Sequence, residues 1–199
     1  MATPLRVEIV SDVVCPFCLI GAHRLERAID ARPDLDVELV YRSFLLDPAA
    51  SAQGEDLRGR LRRKYGDPEP MFRRVEELAR RDGIPLDFAR VERAPSAVGA
   101  HTLLRHALGR GTQRALARAL FGAYFLEGRD IGQVEVLDQL ASAHGFAAGE
   151  GARLVQSPAE ESATRAEAEA MAARGIRGVP FVTVGGQLSI AGAQPIRVF

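Results

Sequence analysis

Residues 11–21 read SDVVCPFCLIG, and this stretch decides the fold because it holds both cysteines of the 199-residue chain, Cys15 and Cys18. Apolar and polar residues alternate from Leu5 to Ile9 just before it, which is the period of a β-strand. Beyond it, apolar residues recur at nearly helical spacing until Pro33. The sequence therefore predicts a strand, a short turn that carries the cysteines, and a helix.

The predicted helix start favours a reactive thiolate. Pro16 fits the first helical turn, where the missing N–H costs nothing. Cys15 then lies at the helix N-terminus, where free backbone N–H groups and the positive end of the helix dipole stabilise a thiolate, which is the attacking form. Cys18 follows about one turn later on the same face, so its sulfur can reach that of Cys15. The pair is predicted to be a redox centre.

Two other interpretations of the cysteine pair explain less. A structural zinc site needs four ligands, and with no second cysteine pair the four histidines would have to supply two of them. His101 and His106 fit one helical face poorly. A permanent disulfide across so short a loop would remove little entropy from the unfolded chain. We therefore expect no metal and a redox-active pair.

The bulk composition predicts neither a nucleic-acid partner nor a membrane partner. Lys and Arg together number 26, as do Asp and Glu together, so the formal net charge is zero. The chain therefore has no excess positive charge that would attract an anionic partner. No apolar stretch approaches the roughly 20 residues that span a bilayer. The first residues lack the basic and then apolar pattern of a signal peptide. We expect a cytoplasmic protein. In such a protein a lone Cys-x-x-Cys pair is more often catalytic than a structural disulfide.

A second part of the site is predicted near the other end of the chain. Residues 175–184, GIRGVPFVTV, indicate a helix end, a tight loop and a strand, and residues 185–191 a hairpin. A proline before a strand is ordinary by itself. Together with the N-terminal strand, cysteine pair and helix, it looks like the loop that faces the cysteines in thioredoxin folds. We therefore expect a cis Val179–Pro180 bond in contact with Cys15, where residue 179 offers its backbone to an extended substrate.

The motifs together resemble the DsbA-like thioredoxin-fold proteins, in particular the FrnE-type subgroup. The resemblance covers nearly the whole chain. It implies an α/β fold, namely a thioredoxin fold with an inserted all-helical domain. The thioredoxin-like domain would comprise residues 1–44 and 159–199, and the inserted helical domain residues 45–158. Besides residues 11–21, the resemblance rests on RSFLLDP (42–48), AHTLL (100–104), ALFGAYFLEGRDI (119–131), GVPF (178–181) and GAQP (192–195).

The resemblance implies a thiol–disulfide oxidoreductase or isomerase that acts on protein or small-molecule thiols and disulfides, as a monomer or homodimer. The redox-active disulfide would be the only redox group, so no separate cofactor is expected, and glutathione is a candidate reductant or ligand. Phe17 stands where the family usually has tryptophan, and it lacks the indole N–H, so the redox potential can differ. The implied residues are Cys15 and Cys18 for catalysis, Pro16 and Phe17 for redox tuning, and Val179 and Pro180 for substrate binding.

Two further polar residues are weaker candidates. Asp12 can accept a proton or orient water, although hydrogen bonding within its loop is favoured. His101 lies in a family-like segment and is a candidate for substrate contact. The basic stretch from Arg58 to Lys64 is expected to be a solvated helix face rather than a binding patch.

Two alternative functions stay open at the level of sequence. The first is a kappa-type glutathione transferase or 2-hydroxychromene-2-carboxylate isomerase-like enzyme, which shares the fold. Those enzymes typically have a serine at the position of Cys15, so two cysteines count against it. The second is a non-catalytic binding module, in which the thiols are incidental.

Overall fold

The computed structural model of the chain describes residues 4–199, in which helices surround a central sheet. Two short 3₁₀ turns, at Phe88–Arg90 and Ile196–Val198, complete the regular structure. In chain order the elements are β1 (Leu5–Ser11), α1 (Pro16–Asp30), β2 (Val37–Ser43), β3 (Glu55–Asp56), α2 (Leu57–Tyr65), α3 (Glu69–Arg81), β4 (Arg93–Ala94), α4 (Val98–Leu108), α5 (Gln113–Phe125), α6 (Val134–Ser142), α7 (Glu150–Val155), α8 (Pro158–Ala173), β5 (Phe181–Val184) and β6 (Leu188–Ala191).

The central sheet brings the two ends of the chain together. Its strand order is β2-β1-β5-β6, with β1 parallel to β2 and antiparallel to β5. A parallel pair needs a crossover connection, and α1 supplies it. The predicted hairpin joins β5 to β6 through Gly185 and Gly186, whose φ angles of 58° and 71° suit glycine because it has no Cβ. The Val179–Pro180 loop therefore enters the sheet next to the strand that precedes the cysteines.

The segment inserted between β2 and α8 contains six helices and one short ribbon. Helix α2 begins at Leu57, because Glu55 and Asp56 before it pair with β4. The ribbon is thus an addition to the all-helical insertion that the sequence predicts. Helix α7 is also an addition, since the sequence pattern did not indicate it.

The inserted helices and the sheet share one apolar core. A single cluster of buried side chains includes Ile9 of β1, Phe72 of α3, Leu103 of α4 and Leu137 of α6. The division into domains 1–44 with 159–199, and 45–158, stays a prediction, and residues 1–3 of the first lie outside the described residues. The shared core fixes the position of the inserted helices over the N-terminus of α1.

Helices α1 and α8 begin at residues that suit the start of a helix. Helix α1 has Pro16 at its first position, as predicted, and Cys15 as its N-cap residue. Helix α8 begins after Ser157, whose Oγ accepts a hydrogen bond from the Glu160 N–H at 3.4 Å. Within residues 4–199, the helices are all too short or too polar to cross a membrane.

Candidate active site

Cys15 lies at the N-terminus of α1 with its sulfur beside the C-terminal loop. Its backbone is extended, with φ of −95° and ψ of 116°, so its carbonyl accepts the first hydrogen bonds of the helix, from Cys18 N at 3.0 Å and Leu19 N at 3.2 Å. The Sγ atom lies 3.9 Å from the carbonyl oxygen of Val179. Only 4% of Cys15 is exposed. The structure therefore brings residues 164 positions apart into contact, as the sequence predicts.

Cys18 lies behind Cys15 and is fully buried. The Asp12 N–H donates to its Sγ at 3.4 Å. Burial, the adjacent Cys15 thiol and the nearby Asp12 carboxylate raise the pKa of the Cys18 thiol well above its ordinary value, and the Asp12 N–H partly offsets them. Both cysteines are free thiols. The two sulfurs thus differ in access, because Cys15 can be approached and Cys18 cannot.

The Val179–Pro180 loop packs directly against α1. Its peptide bond is cis. A Cβ placed on Gly21 would come within 2.6 Å of Pro180 Cγ, which is closer than real side chains approach. Glycine at position 21 therefore allows α1 and the loop to touch, and this contact holds Val179 beside Cys15.

A cavity of about 330 Å³ opens beside Cys15. Asp12, Cys15 and Phe17 line it together with residues of α2 and α3. This volume is at the lower end of the range for small-molecule sites. The lining is mainly apolar: Val14, Pro16, Phe17, Leu45, Leu46, Ala50, Leu57, Leu61, Tyr65, Met71, Phe72, Val75, Phe88, Ala94, Pro95, Ala97, Tyr124 and Phe125.

Exposed apolar side chains surround this cavity. Phe17 is 42% exposed, and Leu46, Tyr65 and Met71 are also exposed although they line the same space. Large apolar side chains in one exposed group mark interaction sites more often than isolated ones do. Phe17, a predicted redox-tuning residue, therefore also belongs to the rim of the cavity.

The basic stretch forms a solvated helix, as predicted, and one side of it also lines the cavity. None of its residues is buried, as a solvated face requires. However, Arg60 and Lys64 line the cavity together with the apolar residues of the same helix. Arg60 is bound to Asp47 at 2.5 Å, which neutralises much of its charge. The stretch is therefore a solvated helix on one side and a wall of the cavity on the other.

Asp12 holds the loop before α1 in place. Its Oδ1 accepts from the Val14 N–H at 3.1 Å and its Oδ2 from the Leu46 N–H at 2.8 Å. This is the loop hydrogen bonding that the sequence favours for Asp12, and only 1% of the residue is exposed. Asp12 nevertheless borders the cavity.

His101 is placed differently from the prediction. It is 1% exposed on α4 and does not line the cavity, so the expected contact with a substrate is corrected. The reason is that α4 is buried on almost every side, as its neighbours Ala100, Leu103 and Leu104 are. His101 Nε2 lies 3.5 Å from Asp12 Oδ1 instead. Sequence reasoning found both residues but not their contact.

No group of three or more His, Cys, Asp or Glu residues in the described part of the chain is arranged to hold a metal ion.

The sheet, the cysteine pair at the start of α1 and the facing cis-proline loop define a thioredoxin fold with inserted helices. The model of the DSBA-like thioredoxin domain family matches residues 6–199, and the chain belongs to this family. The FrnE-type subgroup stays a prediction.

Solved structures show the same architecture. A probable DsbA oxidoreductase from Streptomyces coelicolor is 32% identical, with a TM-score of 0.87 over 98% of this chain and 86% of that one. A 2-hydroxychromene-2-carboxylate isomerase is 18% identical, with a TM-score of 0.70 over 94% and 89% of the two chains. The cytosolic disulfide reductase DsbM from Pseudomonas aeruginosa, solved with GSH, is 20% identical, with a TM-score of 0.67 over 94% and 89%. The last two likenesses concern the fold alone.

Proposed function

We propose that the protein is a thiol–disulfide oxidoreductase in which Cys15 attacks and Cys18 resolves. One observation carries this assignment: of the two thiols, Cys15 borders the cavity, whereas Cys18 is fully buried behind it. Cys15 also stands at the N-terminus of α1, where the helix leaves backbone N–H groups without helical partners. Membership of the DSBA-like family supports the same class of reaction.

The reaction proceeds through a mixed disulfide. The Cys15 thiolate attacks a substrate disulfide, and one substrate sulfur leaves as a thiolate. Cys18 then attacks Cys15, which releases the second substrate sulfur and leaves the protein oxidised. In the opposite direction a substrate thiolate attacks the oxidised pair at Cys15. The reduction potential sets the direction, with about 30 mV equal to about 1.4 kcal/mol.

The cavity supports substrates with an apolar arm next to their sulfur. Its lining is mainly apolar, and Phe17, Leu46, Tyr65 and Met71 present exposed apolar surface around it. A small disulfide or one extended segment of a protein would place that arm between Phe17 and α2. Val179, whose carbonyl lies 3.9 Å from Cys15 Sγ, would meet the backbone of such a segment.

Glutathione as reductant or ligand, and action in the cytoplasm, belong to the same proposal. Both are supported by the shared fold of DsbM, a cytosolic disulfide reductase solved with GSH. The redox-active pair needs no separate cofactor in this scheme, because the electrons move between sulfur atoms.

A redox titration tests the proposal. The protein is equilibrated with reduced and oxidised glutathione, quenched with acid, and its thiols are counted by mass. We expect a two-electron transition of Cys15 and Cys18. Cys15→Ser should abolish insulin reduction, and Cys18→Ser should accumulate glutathione on Cys15. Turnover that survives in Cys15→Ser would overturn the assignment.

The likeness to the isomerase structure favours one alternative, a kappa-type glutathione transferase or 2-hydroxychromene-2-carboxylate isomerase-like activity. Such activity with glutathione should persist in Cys18→Ala, because it uses no disulfide. The oxidoreductase that we propose loses its turnover in the same variant. Absence of both activities, with a Cys15 that reacts like an ordinary thiol, would point to a binding module instead.

A further inference from the structure

A second cavity, of about 420 Å³, is lined by residues of α1, α5 and the loop that follows α3. Within residues 4–199 it shares no lining residue with the cavity beside Cys15, so the two are separate. Its volume falls within the range of small-molecule sites. Helix α1 contributes six lining residues that follow helical spacing and so form one face of the helix: Leu19, Ala22, His23, Glu26, Arg27 and Asp30.

One part of the second cavity is apolar. Ile84 and Pro85 of the loop after α3 line it, as do Phe121 and Gly122 of α5. A Cβ placed on Gly122 would meet nothing within 4 Å, so this position leaves space where a side chain would stand. Removal of apolar surface from water is favourable. This part of the cavity therefore suits the apolar body of a small molecule.

The carboxylates of the second cavity already have partners. Glu26 is 4% exposed and accepts a hydrogen bond from the Tyr41 hydroxyl at 2.5 Å. Burial and then the charge of Glu26 raise the pKa of Tyr41 well above its ordinary value, so the hydroxyl keeps its proton and donates. The guanidiniums of Arg114 and Arg118 bind both Glu26 and Asp30. The negative charges of the lining are thus neutralised, and they do not favour a cationic ligand.

Two hydrogen-bonding groups of the lining have no partner within residues 4–199. Arg27 is exposed, and the two carboxylates that line the cavity with it are bound by other arginines. His23 Nε2 is buried and has no hydrogen-bond partner. A guanidinium only donates, and an imidazole nitrogen can donate. A carboxylate, which only accepts, is the group that complements both.

We propose that the second cavity binds a small carboxylic acid with an apolar body. The carboxylate accepts hydrogen bonds from Arg27 and His23, and the body packs against Ile84 and Phe121. A neutral or cationic molecule of the same shape leaves the charge of Arg27 without a partner. The site does not involve the cysteine pair, so the inference stands apart from the proposed function.

Three compounds with one apolar body test the proposal. At pH 7, 4-phenylbutyrate is an anion, 4-phenylbutanol is neutral and 4-phenylbutylamine is a cation. Isothermal titration calorimetry measures their affinities for the wild-type protein, and amide NMR spectra of the labelled protein locate the site. We expect the carboxylate to bind about fivefold more tightly than the alcohol, and the amine to bind most weakly. The amide shifts should change in residues 19–30, 83–85 and 118–126.

Variants of the lining separate the two parts of the site. Gly122→Leu places a side chain in the open space and should weaken phenylbutyrate binding about tenfold or more. Arg27→Gln should weaken it about fivefold, to the affinity of the alcohol. The matched control is Arg73→Gln, because Arg73 is an exposed arginine of α3 that lines neither cavity. It should bind phenylbutyrate as the wild-type protein does. If Gly122→Leu does not fold, as judged by its thermal midpoint, Arg27→Gln and the NMR spectra decide.

Several outcomes would overturn the inference. No measurable binding of phenylbutyrate, or equal affinity for the three compounds, would contradict it. Wild-type affinity in folded Gly122→Leu or in Arg27→Gln would do the same. Amide shifts confined to α2 and α3 would place the compound in the cavity beside Cys15 and refute a second site.

Discussion

Gly21 is the residue that brings α1 against the Val179–Pro180 loop. Any side chain there would meet the ring of Pro180, which is fixed to the backbone of the loop and cannot rotate away. The distance between Cys15 Sγ and the Val179 carbonyl depends on this contact, because the loop packs against the helix at Gly21. At the scale of single residues, the site is therefore set by a glycine as much as by its cysteines.

Gly21→Ala should destabilise the protein and slow the attack of Cys15. Crowding of about 0.4 Å or more at a buried contact costs about 1–3 kcal/mol, which outweighs the roughly 0.5–1 kcal/mol gained from alanine in a helix. Urea unfolding measures the first effect, and the rate of adduct formation with glutathione disulfide measures the second.

Gly122→Ala is the matched control. Gly122 lies inside α5, and a Cβ there would meet nothing within 4 Å. We expect this variant to gain about 0.5–1 kcal/mol. Equal stability of the two alanine variants would show that Pro180 does not press on position 21.

At the scale of elements, an ion-pair network joins β1, β2 and α8. Arg42 of β2 binds Glu8 of β1 at 2.9 Å and Glu167 of α8 at 3.3 Å, and Ser43 donates its hydroxyl to Glu167. Partial burial of Glu8 opposes its ionisation, but hydrogen bonds from Arg42 and Arg6 outweigh burial and lower its pKa. The network thus attaches α8 to the edge strand β2 and to β1, the strand that precedes the cysteines.

The lowered pKa of Glu8 predicts a loss of stability in acid. A carboxyl whose pKa is lower in the folded state stabilises the protein above its ordinary value of 4.5, and this contribution disappears as the pH falls through the folded-state value. Glu8→Gln should therefore flatten the dependence of the unfolding free energy on pH below about 5. Urea unfolding at a series of pH values checks this.

Glu38→Gln provides the comparison, because Glu38 contacts Arg6 with 46% of its side chain exposed. Its profile should follow that of the wild-type protein, since exposed pairs contribute little. A Glu8→Gln profile as steep as wild type would contradict the role given to Glu8.

At the scale of the whole molecule, Arg24 ties three distant parts of the chain. It lies on α1, is 7% exposed, and donates to Asp82 after α3 at 2.8 Å and to the Ala193 carbonyl after β6 at 2.7 Å. The inserted segment, the first helix and the C-terminal segment therefore meet at one guanidinium. Together with the shared core, this contact makes separate unfolding of the inserted helices unfavourable.

Arg24→Met should lower the free energy of unfolding by about 3 kcal/mol, because it leaves the nearly buried Asp82 carboxylate without its partner. Arg80→Met, which removes a guanidinium that is 71% exposed, should cost less than about 1 kcal/mol. Urea unfolding followed by circular dichroism compares them. Similar losses of unfolding free energy in the two variants would mean that Arg24 contributes no more to stability than an exposed arginine does.

The sequence predicts the parts of this molecule that have local signals. Alternation from Leu5 to Ile9, Pro16 at a helix start and the glycines of the last hairpin each follow from short-range chemistry, and the resemblance joins them into one fold. The β3–β4 ribbon has no such signal, because it pairs Glu55 with Ala94. Helix α7 spans only six residues, too few for a clear period.

The arrangement around the cavity depends on tertiary packing. The sequence of the charged helix α2 predicts exposure to solvent. Its part in lining the cavity depends on where tertiary packing places the helix. His101 is a polar residue among apolar ones on a helix that is buried nearly all round, so its sequence position cannot show whether it meets a substrate or Asp12. Long-range contacts decided both cases.

The size of the cavity beside Cys15 bears on which partners the proposed reaction would accept. Residues of helices α2 and α3 line the same cavity as Cys15, and only 4% of this residue is open to solvent. A disulfide fixed on the rigid surface of a large folded protein does not fit a space of about 330 Å³, whereas a slender molecule or an unfolded strand does. In the proposed reaction, the inserted helices would therefore select partners by their flexibility before any difference in reduction potential takes effect.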